Sequence, residues 1–294
     1  MSATLGSGFR VGHRTDADAR TGCTVILPPP GNVTSCDIRG SSIASRELIS
    51  LAPERPRTEI HGLVLTGGSA FGLATADGVM RWLESRGIGF ETPVGLVPIV
   101  PAAGIFDLGA GRADVRPGPD EGMAACDAAA ETFETGRVGA GTGATVGKWG
   151  GPEFARVGGL GAARIEEAGH IVHALAVVNP VGDVIGEDGR VLAGTTSPDP
   201  ERAWREARDL RAPTNTVLAV VTVEGTLQKR EVAWLAARAS DGVTVSIRPA
   251  HTRYDGDVAF AIAAPGPNPA DVDVLGVLVP RAVAAAVRAA VVDS

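Results

Sequence analysis

Arg211-Ala-Pro-Thr-Asn-Thr-Val-Leu-Ala-Val-Val221 is the stretch from which the rest of the chain is best read. A proline-containing loop ends in Asn215-Thr216. It enters at once a run, Thr216 to Val223, that is almost wholly apolar or β-branched, the pattern of a strand buried on both faces. A loop asparagine before a strand-starting threonine is common. The same pair also suits a self-processing site. If the Asn215–Thr216 bond is cut, Thr216 becomes an N-terminal residue at the tip of a rigid strand. Its hydroxyl then sits beside its own α-amine, which titrates near roughly 7.7–8.0. Such an amine acts as a base for a hydroxyl nucleophile that has no histidine.

Outward from this strand, helices and strands alternate without an internal repeat. Leu63-Val64-Leu65 predicts a short buried strand running through Thr66-Gly67-Gly68-Ser69 into a helix. Ala76, Val79, Met80 and Leu83 form one helix face. Val97 to Val100, with Pro98, reads as an edge strand or buried loop, and Met123 to Phe133 as an alanine-rich helix. From Val138 to Gly161 glycine recurs too densely for regular structure, so tight turns and close backbone packing are expected. Ile171 to Val178 is a strand and Pro200 to Leu210 a polar helix. Thr226 is placed as the cap of a helix with Val232, Leu235, Ala236 and Ala239 inward. Val258 to Ala263 is a further strand, and Pro280 is expected to open the last helix. The fold class is therefore α+β, layers of sheet and helix around one core.

The 294 residues are 44% hydrophobic and 21% charged with a net charge of −7. The acidic balance and the lack of a Lys/Arg run exclude nucleic acid and anionic membrane as main partners. The most apolar region, Val272 to Val292, is broken by Asp273, Pro280, Arg281 and Arg288, so no membrane span is expected. The N-terminus has no apolar signal core. Cys23, Cys36 and Cys126 include no CxxC pair, which points to free thiols in a reducing, cytoplasmic setting and to no zinc site. Arginine outnumbers lysine 25 to 2, and asparagine occurs only at 32, 179, 215 and 268. Lys148, Asn179 and Asn215 therefore stand out.

Six motifs in order carry a resemblance. They are Val25-Ile-Leu-Pro-Pro-Pro-Gly31, Leu65-Thr-Gly-Gly-Ser-Ala-Phe-Gly-Leu73, Val97-Pro-Ile-Val-Pro-Ala-Ala-Gly-Ile-Phe-Asp-Leu108, Ala176-Val-Val-Asn-Pro-Val-Gly182, Asn215-Thr216, and Ile247-Arg-Pro-Ala-His-Thr-Arg-Tyr-Asp-Gly-Asp-Val-Ala-Phe260. Along nearly its whole length the chain resembles the L-aminopeptidase/D-esterase family of self-cleaving N-terminal nucleophile amidases, in the branch of the nylon-oligomer hydrolases.

The resemblance implies a single-domain helix–sheet–sheet–helix sandwich, shared with the ornithine acetyltransferases. It implies self-cleavage at Asn215–Thr216 into a large chain 1–215 and a small chain 216–294. Thr216 then attacks a small peptide or amide substrate through an acyl-enzyme, without metal or cofactor, in a homotetramer. Aminohexanoate oligomers are among the substrates of that branch. Asn179 lies beside the nucleophile in the family, where its NH₂ suits a developing oxyanion. Lys148, in Gly141-Thr-Gly-Ala-Thr-Val-Gly-Lys148, is implied near the nucleophile, where a cation depresses the pKa of the amine. It is not a phosphate loop, because Thr142 and Trp149 stand where glycine and Ser/Thr are needed. Asp255 and Asp257 are implied to orient Thr216 or neutralise Lys148. The backbone N–H groups of Gly67, Gly68 and Ser69 are candidate donors to the oxyanion or a substrate carboxylate.

Two alternatives stay open at this point. One is an ornithine acetyltransferase-like acyltransferase, against which stands the absence of that family's Lys-Gly run before the nucleophile. The other is a non-catalytic relative that binds a small molecule. His170 and His173, three apart on a strand, are not a metal pair. His251 has no evident acid partner, and Tyr254 has no assigned role. Asn32-Val33-Thr34 matches a glycosylation acceptor without other signs of secretion.

Overall fold

The apolar run after Asn215 forms a strand, Thr216–Thr226, buried continuously as far as Val223. Its two faces enter two different cores. Val217, Ala219, Val221 and Val223 pack with helices, while Leu218 and Val220 pack toward a second sheet. Alternation of side chains along a strand explains why every position is apolar: neither face meets water.

The computed structural model describes residues 2–206 and 214–292. Ten strands build two five-stranded sheets: β1 (Arg10–Asp16), β2 (Thr21–Leu27), β3 (Val33–Ile38), β4 (Ala44–Arg46), β5 (Leu63–Thr66), β6 (Ala102–Gly104), β7 (Gly159–Glu167), β8 (His170–Asn179), β9 (Thr216–Thr226) and β10 (Val258–Pro269). One sheet has the order β1-β2-β5-β6-β4 and the other β7-β8-β9-β10-β3. In the second sheet β9 runs antiparallel to β8 and parallel to β10. Among the described residues six α-helices accompany them: α1 (Ser69–Gly72), α2 (Thr75–Glu84), α3 (Pro119–Asp127), α4 (Pro200–Glu206), α5 (Lys229–Ser246) and α6 (Val272–Val292).

Three apolar clusters hold these elements together. Leu218, Val220, Phe260 and Leu175 of one sheet share a core with Ile26, Leu63, Leu65 and Ala103 of the other. Val217 and Ala219 join Val232, Leu235 and Ala239 of α5 and Val283 and Val287 of α6. Val25 and Val64 join Ala76, Val79 and Leu83 of α2 and Ala125 of α3. The architecture is mixed sheet and helix, α+β.

Several sequence expectations need correction. The second helix is Pro119–Asp127, not Met123 to Phe133. Beyond it Ala130 pairs with Val11, and Phe133 with Ala3. Backbone pairing there outweighs the helix propensity of alanine. Thr226 does not cap α5; it ends β9, paired with Pro269, and Gln228 takes the cap position. The last helix begins at Val272 and carries Pro280 inside. A proline leaves the carbonyl four residues earlier unpaired, and here the Arg238 guanidinium donates to that Gly276 carbonyl at 3.0 Å. By length and composition α6 could cross a membrane, but over half of that stretch is buried in the fold. Residues 207–210 of the expected polar helix, and residues 211–213 of the loop before Asn215, lie outside the described residues.

The glycine-rich stretch is turns and close approach, as expected. A Cβ on Gly161 would lie 2.1 Å from the Ala286 carbonyl oxygen, so this glycine lets α6 rest on β7. Gly147 has φ 72° and its Cβ would lie 2.2 Å from the Thr195 nitrogen, so the turn that presents Lys148 requires glycine.

Candidate active site

Thr216 heads β9 opposite Asn179, the last residue of β8. It is 3% exposed, and its hydroxyl donates to the Asn215 carbonyl oxygen at 2.5 Å. The same oxygen accepts the Gly256 N–H at 2.7 Å. Asn215 forms a parallel bridge with Asp255, and its Nδ2 donates to the Tyr254 carbonyl at 3.1 Å. The bond between Asn215 and Thr216 is thus held from one side by the segment 254–256.

On the other side stand Lys148 and Asn179. The Lys148 ammonium donates to the carbonyls of Thr145 and Asn179, each at 3.0 Å, and to Asn179 Oδ1 at 2.8 Å. Those bonds use its three hydrogens. Burial nevertheless pushes its pKa down to about 7, against the opposing pull of Asp255 and Asp257. Asn179 is fully buried; its Oδ1 also accepts the Thr145 N–H at 3.0 Å, and its Nδ2 donates to the Phe106 carbonyl at 3.2 Å. The bond to Phe106 uses one of the two Nδ2 hydrogens.

Asp257 Oδ1 accepts the Val217 N–H at 2.7 Å, fixing the residue after Thr216. Its Oδ2 contacts His251 Nδ1 at 2.8 Å, so His251 does have an acid partner, six residues along the chain. A turn through the Thr252–Asp255 hydrogen bond at 3.1 Å folds the two together, which sequence separation concealed. Asp255 accepts Val181 N–H at 3.1 Å and Thr252 N–H at 3.0 Å. Burial, then the charge of Asp257, raises its pKa to about 6.

The Gly67-Gly68-Ser69 turn is a correction. Its N–H groups donate to Gly22 O at 2.8 Å, Asp107 Oδ1 at 2.7 Å and Ile105 O at 2.9 Å. None is left for an oxyanion, because the turn with Gly68 at φ 76° and Ser69 at φ 53° is stitched into the fold. The turn lies close to the site all the same, since Asp107 follows Phe106, whose carbonyl holds Asn179. Asp107 is buried, accepts the Thr21 hydroxyl at 2.7 Å, and has its pKa raised by burial.

Lys148, Asn179, Asn215, Thr216, Asp255 and Asp257 therefore converge at one end of the second sheet. A cavity lined by His170, His173, Thr222 and Glu224 opens toward the other end of β8 and β9, roughly 20 Å from Thr216 at the rise of a strand. No group of three or more metal-ligating side chains occurs among the described residues.

The sequence matches the profile of peptidase family S58 from residue 7 to residue 294. The chain belongs to peptidase family S58. An uncharacterized aminopeptidase of Mycobacterium leprae is 40% identical over 285 residues, covering 87% of this chain and 76% of the relative. A 6-aminohexanoate-oligomer endohydrolase of an Agromyces species is 28% identical over 269 residues, covering 87% of this chain and 72% of the relative. The L-aminopeptidase D-Ala-esterase/amidase of Ochrobactrum anthropi, a variant of the Ntn hydrolase fold, superposes with TM-score 0.73. That likeness spans 99% of this chain and 85% of that one at 18% identity, and concerns the fold. The S58 membership makes this chain a peptide or amide hydrolase.

Within this S58 chain, sequence reading passed over His251, Asp107, and the backbone groups of Phe106, Tyr254 and Gly256. Asp107 lies inside the Val97–Leu108 motif and His251 inside the Ile247–Phe260 motif, so proximity to matched motifs was the one available signal. Backbone donors and acceptors leave no trace in residue identity.

Proposed function

We propose that the chain is a self-processing amide hydrolase whose nucleophile is Thr216. The observation that carries this reading is the Thr216 hydroxyl, 2.5 Å from the carbonyl oxygen of the preceding residue at the head of a rigid buried strand. Attack of Oγ on the Asn215 carbonyl carbon forms an ester as the C–N bond breaks. The proton lost from Oγ ends on the released Thr216 nitrogen. Water then cleaves the ester, leaving a carboxylate on Asn215 and a free α-amine on Thr216.

In the processed protein the amine, titrating near roughly 7.7–8.0, takes the Oγ proton when substrate is attacked. Lys148, with its pKa pushed down to about 7, exchanges protons near neutrality, where general acid–base groups are most effective. Asn179 offers its other Nδ2 hydrogen to the oxyanion. Asp257 fixes the backbone of Val217, and Asp255 keeps negative charge near Lys148. We place the elements in the order helix–sheet–sheet–helix. Peptides and ω-amino-acid oligomer amides are the substrate class, in keeping with the aminopeptidase and endohydrolase relatives. A four-chain assembly in the cytoplasm completes the reading; exposed apolar residues Phe90, Val94 and Val97 offer contact surface, and the free thiols suit a reducing compartment.

The test is the intact mass under denaturing conditions of the wild type beside Thr216→Ala. Two chains, 1–215 and 216–294, absent from the variant, are expected. A single uncut wild-type chain after long incubation overturns the reading.

A further inference from the structure

We infer that the backbone of Tyr254, Asp255 and Gly256 is the subsite for the acyl residue of the substrate, and that it selects a side chain ending in an N–H donor at the position of the Asn215 amide nitrogen. The inference rests on the self-processing hydrolase reading. Under that reading, self-cleavage passes through an ester between the Asn215 acyl group and Thr216 Oγ. Substrate turnover passes through an ester on the same oxygen. The two intermediates differ only in the acyl group, so what surrounds Asn215 is what surrounds the acyl residue of a substrate.

That surrounding is specific. Gly256 N–H donates to the Asn215 carbonyl oxygen at 2.7 Å, so a donor already stands at the oxygen on which negative charge develops when that carbonyl is attacked. Asp255 pairs with Asn215 as a parallel bridge, so the acyl residue lies extended along this segment. The Tyr254 carbonyl accepts Nδ2 of Asn215 at 3.1 Å. Tyr254 is fixed in turn by Trp204 of α4, its ring edge-on with centroids 5.6 Å apart. Asn215 is only 4% exposed, and its Oδ1 is buried with no hydrogen-bond partner.

The pocket therefore answers a donor and not an acceptor. An orphaned buried oxygen is unfavourable, so asparagine fills the pocket incompletely. An amine at the same distance from the scissile carbon, as in a 2,4-diaminobutyryl group, has donors only and leaves nothing unpaired. The buried carboxylates of Asp255 and Asp257 nearby favour it further. Aspartate has the same shape, brings acceptors only, and adds a like charge. Leucine has the same shape and no polar atom. Once Asn215 is cut and has moved out, the Tyr254 carbonyl and the Gly256 N–H are left for the substrate.

The experiment uses the processed wild-type protein and the 4-nitroanilides of L-asparagine, L-2,4-diaminobutyrate, L-aspartate and L-leucine, with L-alanine and 6-aminohexanoate anilides as references. The expected result is kcat/KM for asparagine about tenfold or more above aspartate and leucine, the size of one hydrogen bond to a neutral group. Diaminobutyrate is expected to equal or exceed asparagine. Equal values for asparagine, aspartate and leucine overturn the subsite. Turnover of either reference anilide that disappears in Thr216→Ala leaves the hydrolase reading standing in that case. If no anilide is turned over and the chain stays uncut, both fall together.

Discussion

His251 and Asp257 form a closed pair at the base of the site: Nδ1 lies 2.8 Å from the carboxylate Oδ2 while Nε2 reaches the Ser240 carbonyl at 3.1 Å. Both partners are acceptors, so both ring nitrogens donate, which is the imidazolium form. Burial works against that charge, but the hydrogen bond and charge of Asp257 prevail and raise the pKa above the usual histidine value. A raised folded-state pKa gives stability that is fully present below the unfolded value, near 6.5, and is lost as pH rises through the folded value. His251→Gln is therefore expected to lose more stability at pH 5.5 than at pH 9, measured by urea unfolding in a Thr216→Ala background. Equal losses at the two pH values would falsify the charged pair.

Lys148 has the opposite sign. Its folded pKa of about 7 lies below the unfolded value of 10.5. The unfolded chain binds more protons between those values, so stability rises with pH there. The gain from pH 7 to pH 9 is on the order of 2 kcal/mol for a shift of this size. In the uncleaved Thr216→Ala background, Lys148→Met is expected to flatten that rise. An undiminished slope in the double variant means that the ammonium is not held as described.

Asn179 joins three groups: Lys148, the Thr145 N–H and the Phe106 carbonyl. Asn179→Leu keeps the volume and leaves these partners unmatched. A stability cost of about 1–3 kcal/mol is expected, with self-cleavage slowed about 10²-fold as the oxyanion donor is lost. The time course of fragment appearance by mass reads the second effect. Cleavage at the wild-type rate in a folded variant removes Asn179 from the chemistry.

The three cysteines are predicted to be unreactive. Burial pushes the thiols of Cys23, Cys36 and Cys126 up to about 12, and the thiolate is the reactive form. A thiol reagent at pH 8 is expected to label none of them rapidly in the native protein and all three in denaturant. Fast native labelling of Cys36, the least buried of the three, would show that its strand opens.

Much of the site was legible through the family resemblance of the motifs that carry Lys148, Asn179, Thr216, Asp255 and Asp257, and the strands beside them explain why they meet. Asn179 ends β8 and Thr216 begins β9, and in an antiparallel pair those two ends meet. Asp255 and Asp257 precede β10, the parallel neighbour of β9, so they arrive at the same end. Lys148 needed the turn at Gly147, which glycine density signalled without fixing its direction. The oxyanion role expected for Gly67 to Ser69 failed because donors visible in a turn can be spent inside the fold. His251 was missed because its partner is reached through a turn.

By itself the sequence determined the buried strands and the α+β class, because hydrophobic periodicity is a local property, and it carried the motifs whose family resemblance implied the residues that meet at Asn215–Thr216. Only the tertiary structure decided which polar atoms are already paired. It let α6 run through Pro280 by supplying Arg238 to a freed carbonyl, ended α3 early by pairing Ala130 with Val11, and set Gly256 N–H against the Asn215 carbonyl. Hydrogen-bond satisfaction of backbone groups depends on what the rest of the chain brings to them, and residue identity does not record it.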